Sequence, residues 1–168
     1  FIPPREKSGL QKIIEVTIAE SANDVKVTHI LENRGSRTLT LAPWALSVMH
    51  ANSLAILPHN LEHSVELLPT HALALWKYTD MSDPRWTWGK HFLLLRQDPA
   101  SPTPQKAGLI NRYGWAASQL EDQVFLKRFP YDPGAEYPDF GCNFEVYTNG
   151  DILELESLGP LQALQPGG

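Results

Sequence analysis

Apolar positions recur at every second residue through most of this chain. Residues 10 to 20, "LQKIIEVTIAE", and 24 to 32, "DVKVTHILE", alternate in polarity, are rich in β-branched residues and flank the turn residues "SAND". That pattern predicts a β-hairpin. After "NRGSR" the run "TLTLAPWALSVMH" alternates again, with Pro43 marking a bulge or an edge because it has no N–H for a ladder. "LAILP" and "VELLP" read as short strands ending in proline. "LALWKY" and "HFLLLRQ" read as two more, separated by the aromatic loop "TDMSDPRWTWG". The proline-rich surface loop "DPASPTPQ" leads into "AGLINRYGWAASQ" and "QVFLKRFPY", and a second long loop, "DPGAEYPDFGC", precedes the closing segment. No segment has the length and period of a helix, although "LEDQVFLKRF" is compatible with either period. In "FEVYTNGDILELES" two alternating runs flank Asn149-Gly150, which predicts a hairpin closed by a type I′ turn. The fold class is mostly β, an antiparallel β-sandwich, expected as a single domain over residues 1–168.

Alternation also sorts side chains by face. Glu154 and Glu156 stand two residues apart in one predicted strand and share a side of the sheet, and Glu145 and Tyr147 share one in its partner. Such carboxylates are either a solvated strand face or part of a site. Like charges held close raise one of the two pKa values, and a raised carboxylate can exchange protons near neutrality.

Composition narrows the partners. The 168 residues are 42% hydrophobic and 20% charged, the profile of one ordinary globular domain. A net charge of -5 offers no basic stripe, so nucleic acid is not an expected partner. The single cysteine, Cys142, excludes an intrachain disulfide and cysteine-based metal motifs. No apolar run approaches the ~18 residues that cross a bilayer, and "FIPPREKSGLQ" lacks the basic-then-apolar pattern of a signal peptide. No membrane partner is expected and the compartment stays open. The absence of an initiator Met suggests a processed product or a segment of something longer.

Several chemistries lack their motifs. There is no G-x-S-x-G elbow and no phosphate-binding glycine loop, and "PDFG" at 138 to 141 stands without the other kinase signatures. Among His50, His59, His63, His71 and His91, the segment "HNLEH" holds an i,i+4 pair, but it is proline-flanked and lacks the glutamate of HExxH. No metal and no cofactor is expected. What remains is a sheet with Trp-, Tyr- and Pro-rich loops, a layout that suits sugars: rings stack on the C–H face of a pyranose, and carboxylates, Arg and Asn meet its hydroxyls. The aromatic set is Trp76, Tyr78, Trp86, Trp88, Tyr113 and Trp115, with core packing the ordinary role of Trp76 and less reason for burial of Trp86 and Trp88. Asp83 and Arg85 form a polar pair that either forks onto sugar hydroxyls or braces its loop. Lys106 and Lys127 are further candidates against a default of solvated lysines.

Four blocks, "LAPWALSVMH", "LALWKYTDMSDPRWTWGKHFLLLRQ", "QKAGLINRYGWAA" and "YPDFGCNFEVYTNGDILELESLGPL", together resemble the bacterial DUF4380 family, which is similar to the galactose mutarotase (aldose 1-epimerase) superfamily. The resemblance spans roughly residues 10 to 168. It implies a β-supersandwich whose concave face binds a carbohydrate. Family members are longer at both ends; if this chain is only the central and later part of that fold, its exposed sheet edges need cover, and strand pairing in a homodimer is one way to supply it. In mutarotases the catalytic base is a Glu in an apolar strand shortly before a "LxPG" turn; here "LELES" precedes "LQPG" at 164 to 167, which puts Glu156 on that position by resemblance. The partner acid, usually His, is not matched. Trp44 falls about where it would stand, and His50 is the nearest histidine downstream.

The resemblance thus implies Glu156 as proton-transfer carboxylate, modulated by Glu154 or Glu145, with His50 as candidate acid. Arg85, Trp88 and Lys106 would orient the sugar, and Asp83, Trp76 and Tyr78 complete the contact set. The expected activity is epimerase-like or glycoside hydrolysis by two carboxylates. The rival class is a non-catalytic carbohydrate-binding or oligomerising module.

Overall fold

Strand alternation is realised almost throughout the computed structural model of the chain, which describes residues 8–61, 67 and 69–168. The described residues fall into two compact units, one comprising the chain up to Pro43 with Leu161–Gly168, the other Trp44–Pro160. His63 and most of "VELLP" lie outside the described residues. No helix among the described residues is long and apolar enough to cross a membrane.

In the first unit, β1 (Leu10–Ile18) and β2 (Val25–Asn33) form the expected hairpin, in register from Leu10↔Asn33 to Ile18↔Val25. β3 (Leu39–Leu41) pairs with β14 (Gln162–Leu164). Buried Asn33 ties the pairs together. Its amide donates to Arg37 O and Leu164 O, both at 2.8 Å, and its backbone exchanges hydrogen bonds with Gly167 and Gly168. Ile14, Val16, Ile18, Val25 and Val27 share one exposed face of the hairpin.

The second unit is the sandwich. Its strands are β4 (Trp44–Met49), β5 (Leu54–Pro58), β6 (Leu73–Leu75), β7 (Trp86–Trp88), β8 (Phe92–Arg96), β9 (Gln105–Leu109), β10 (Trp115–Leu120), β11 (Gln123–Arg128), β12 (Phe144–Thr148) and β13 (Leu153–Leu158). They form two five-stranded antiparallel sheets, ordered β11-β10-β5-β8-β7 and β4-β13-β12-β9-β6. Period-2 alternation sends Ala55, Leu57, Trp86, Leu93, Leu95 and Ala116 from the first sheet against Ala107, Leu109, Phe144, Val146, Leu153 and Leu155 from the second. Each large side chain buried there contributes about 1.5–3 kcal/mol.

Four local expectations change. "TLTLAPWALSVMH" is two strands, β3 and β4, which Pro43 separates and which join different sheets. The ambiguous "LEDQVFLKRF" is strand, because Glu121 at φ 53 lets β10 turn directly into β11. "WTW" is an edge strand rather than loop, and Trp86 is buried, its Nε1 donating to Gln105 Oε1 at 2.9 Å. The β12–β13 pairing is as expected, but neither Asn149 nor Gly150 has the positive φ of a type I′ turn. The loop instead spans four residues, with Asn149 Oδ1 accepting from the N–H groups of Asp151 and Ile152. Glycine is needed at 150 for room: a Cβ there would lie 3.2 Å from Pro102 Cα.

Candidate functional site

The face of the second sheet that points away from the core carries the charged residues. Register places Glu145 directly opposite Glu156 across β12–β13, and Tyr147 opposite both Glu154 and Lys106. Trp44, Leu46 and Val48 continue the face on edge strand β4. Glu145, Tyr147, Glu154 and Glu156 are therefore on one face, as alternation required.

Two carboxylates directly opposite one another repel, and Lys106 reconciles them. Its Nζ lies 2.7 Å from Glu145 Oε2 and 2.9 Å from Glu156 Oε2. Trp44 Nε1 donates to the same Glu156 oxygen at 2.7 Å. The Lys106 ammonium also sits 4.7 Å from the Trp76 ring centroid and 5.3 Å from that of Trp44, within cation–π range. The glutamates are almost fully covered, at 2% and 1% exposure. Even so, the second oxygen of each, Glu145 Oε1 and Glu156 Oε1, accepts no hydrogen bond.

One ammonium cannot neutralise two anions. Burial pushes the Glu145 carboxyl up to about 7; Lys106 opposes that shift, while neighbouring Asp139 and the charge of Glu156 reinforce it. Burial alone would lower Lys106, but hydrogen bonds and charge from Glu145 and Glu156 win and hold it above the ordinary lysine value. Glu154 is raised by burial and then by the charge of Glu156. Tyr78 is raised chiefly by burial, against the pull of Lys106. Glu145 is thus the carboxyl of this cluster whose pKa is brought near neutrality.

Local backbone brings Asp139 into this cluster. Asp139, Phe140 and Gly141 have φ of 51, 64 and 91°, so the "PDFG" turn is not a regular helix. Cys142 follows, its Sγ over Gly108, the residue opposite Glu145 on β9. A Cβ on Gly108 would come within 2.7 Å of that sulfur and 3.3 Å of Glu145 Cγ, so glycine makes room for both. Burial pushes the Cys142 thiol up to about 12, leaving it neutral.

The remaining candidates lie elsewhere or are engaged. Trp76 and Tyr78 belong to the cluster around Lys106, as above. His50 follows β4, exposed, with Nδ1 3.0 Å from Ala51 O; it is four residues past Leu46, the partner of Glu156, or about 13 Å along the strand. Arg85 is buried and spends its guanidinium internally, forking onto Asp83 at 3.0 and 2.8 Å and reaching Ser101 O and Thr103 O. The pair braces the loop. Trp88 stacks on Trp86 at 5.0 Å and donates to Met81 O. Lys127 points inward and donates to Ala45 O and Leu155 O, with its pKa lowered by burial to about 8. His59 and His71 stack at 4.8 Å, and no group of three or more His, Cys, Asp or Glu among the described residues could hold a metal ion.

Two members of the cluster had no positive signal in the chain. Asp139 comes near Glu145 only through the left-handed "PDFG" turn, a segment that the chain by itself marked only as lacking the other kinase signatures. Trp44 was noted only as occupying the place of a histidine. It donates a hydrogen bond to Glu156, but an indole N–H does not act as a proton-transferring acid. Comparison of the chain with family models, with curated proteins and with solved structures returns no match.

Proposed function

We propose that this is a carbohydrate-active protein of the mutarotase-like kind, which binds a sugar on the outer face of the second sheet and acts on it by proton transfer from a carboxyl group. The observation that carries the reading is the pair of buried glutamate oxygens without donors, Glu145 Oε1 and Glu156 Oε1, in a cluster whose Lys106 packs against Trp44 and Trp76 and whose strand β12 also carries Tyr147 on the same face. Unpaired buried acceptors cost free energy, and sugar hydroxyls are donors of the right number and direction to relieve it.

Within that reading the roles differ from those the resemblance implies. Glu145, with a pKa near operating pH, is the group that gives or takes the proton. Glu156, held by Lys106 and Trp44, is the carboxyl group that orients substrate. Because a single ammonium contacts both carboxylates, at 2.7 and 2.9 Å, they are closer together than the ~6.5–9.5 Å of an inverting glycosidase pair. Anomer interconversion, or hydrolysis with retention, fits this spacing.

The second reading, a non-catalytic sugar-binding module, is favoured by the near-complete cover over both glutamates. One experiment separates the two. Anomer interconversion and glycoside hydrolysis are followed by NMR over a panel of aldoses and glycosides, for the wild type and Glu145→Gln. Turnover that falls about 100-fold or more in the variant, in line with loss of an acid–base group, supports the enzyme. Binding without turnover in either protein supports the module, and undiminished turnover in Glu145→Gln removes Glu145 from the chemistry.

A further inference from the structure

At the β6 edge of the same sheet lies an apolar cleft of about 200 Å³, lined by Leu73, Ala74, Leu75, Ile110, Phe140 and Cys142. It adjoins the carboxylate cluster through the register. Glu145 pairs with Gly108 and Gly108 with Ala74, so three neighbouring strands bring Ala74 of the cleft onto the face of Glu145, while Leu73 and Leu75 pair with Leu109 and Ala107 on the core side. Cys142 roofs Gly108 between them, and Asp139, whose proximity contributes to the raised Glu145 pKa, directly precedes Phe140.

Phe140 is the unusual element. The residue is 99% exposed, and its backbone adopts φ 64, a left-handed conformation that a bulky residue rarely takes. Strain of that kind persists at ligand clamps, where surrounding structure imposes it. A large aromatic in water on a strained turn gains nothing for the fold. It gains a stacking partner if a ring enters the cleft. Size agrees: an apolar cavity of ~150 Å³ holds one benzene molecule, so this cleft accepts a single ring and little more. With the thiol neutral, nothing charged lines it.

We infer that the cleft is an aglycone subsite, and that the natural ligand is a glycoside bearing a ring-sized apolar aglycone. The inference rests on the sugar site proposed above and narrows its substrate from sugars at large to aryl-type glycosides. The aglycone ring lies against Phe140 and over Ala74, and the glycosidic oxygen comes to rest toward Glu145.

The test is calorimetric binding of matched methyl and 4-nitrophenyl glycosides across a panel of hexoses and pentoses, with the wild type, Phe140→Ala and Phe140→Tyr. Phe140 is fully exposed, so its replacement leaves the core untouched. The expected result is at least tenfold tighter binding of the aryl glycoside by the wild type. Phe140→Ala should lose that preference with methyl glycoside affinity unchanged, and Phe140→Tyr should keep it. Equal affinities in the wild type, or a preference that survives in Phe140→Ala, would overturn the subsite and leave the sugar site standing. Free aldoses bound without any glycoside would do the same. No sugar or glycoside bound at all would overturn both.

Discussion

Lys106 shows how much a single side chain can decide. Without its ammonium, Glu145 and Glu156 would face each other across adjacent strands as buried like charges, an arrangement that excludes one of them from ionising. Removing one member of a buried ion cluster typically costs ~3–5 kcal/mol, because the remaining charge stays buried without a partner. Lys106→Met should therefore lose stability on that order in urea denaturation. Adding Glu145→Gln and Glu156→Gln should recover most of the loss, since the triple variant buries no net charge. A Lys106→Met protein as stable as the wild type would mean that the three groups are not coupled in solution. The chain alone gave no warning of this role, because a solitary lysine between proline-rich loop and apolar strand reads as solvated.

At the level of elements, the long loops are stiffened from inside rather than left open for ligand. Arg85 links the start of β7 to the 98–104 loop through Asp83, Ser101 and Thr103. Gln105 accepts from Asp80 N and Trp86 Nε1, and Gln97 holds the β12–β13 turn through Asn149 O and Gly150 O. Arg85→Lys keeps the charge and loses the fork, so it should cost about 1.5–3 kcal/mol and speed proteolytic cleavage within residues 98–104. Its sugar binding should equal that of the wild type, measured by calorimetry, because the guanidinium does not face the carboxylate cluster. A variant that bound sugar more weakly while folding normally would restore Arg85 as a ligand contact.

For the whole molecule, the cluster sets a pH dependence. Glu145 titrates at about 7 in the folded protein against an ordinary value of 4.5, so between those values the folded state binds more protons than the unfolded one. The stability this supplies is fully present below pH ~4.5 and is lost as pH rises through about 7, opposite to a salt-bridged carboxylate of depressed pKa. The melting temperature of the wild type should thus decline relative to that of Glu145→Gln between pH 5 and 8. The difference isolates Glu145 from His59, whose lowered pKa acts in the other direction. A constant offset across that range would show that Glu145 is not the titrating group.

Strand alternation by itself determined the antiparallel β class, the β1–β2 and β12–β13 pairings, and the common face of Glu154 with Glu156 and of Glu145 with Tyr147. Those are local properties: a period of two fixes which side of a sheet a residue occupies whatever the sheet is packed against. The long-range steps were decided only in three dimensions. That Lys106 on β9 bridges two glutamates, that "PDFG" carries Asp139 to Glu145, and that Arg85 turns inward rather than toward a sugar each depend on strand order, which alternation does not encode. Asn149-Gly150 shows both sides at once. The pair marked the hairpin correctly, yet the glycine serves close approach to Pro102 rather than a positive φ, because the loop packs against a segment distant in the chain.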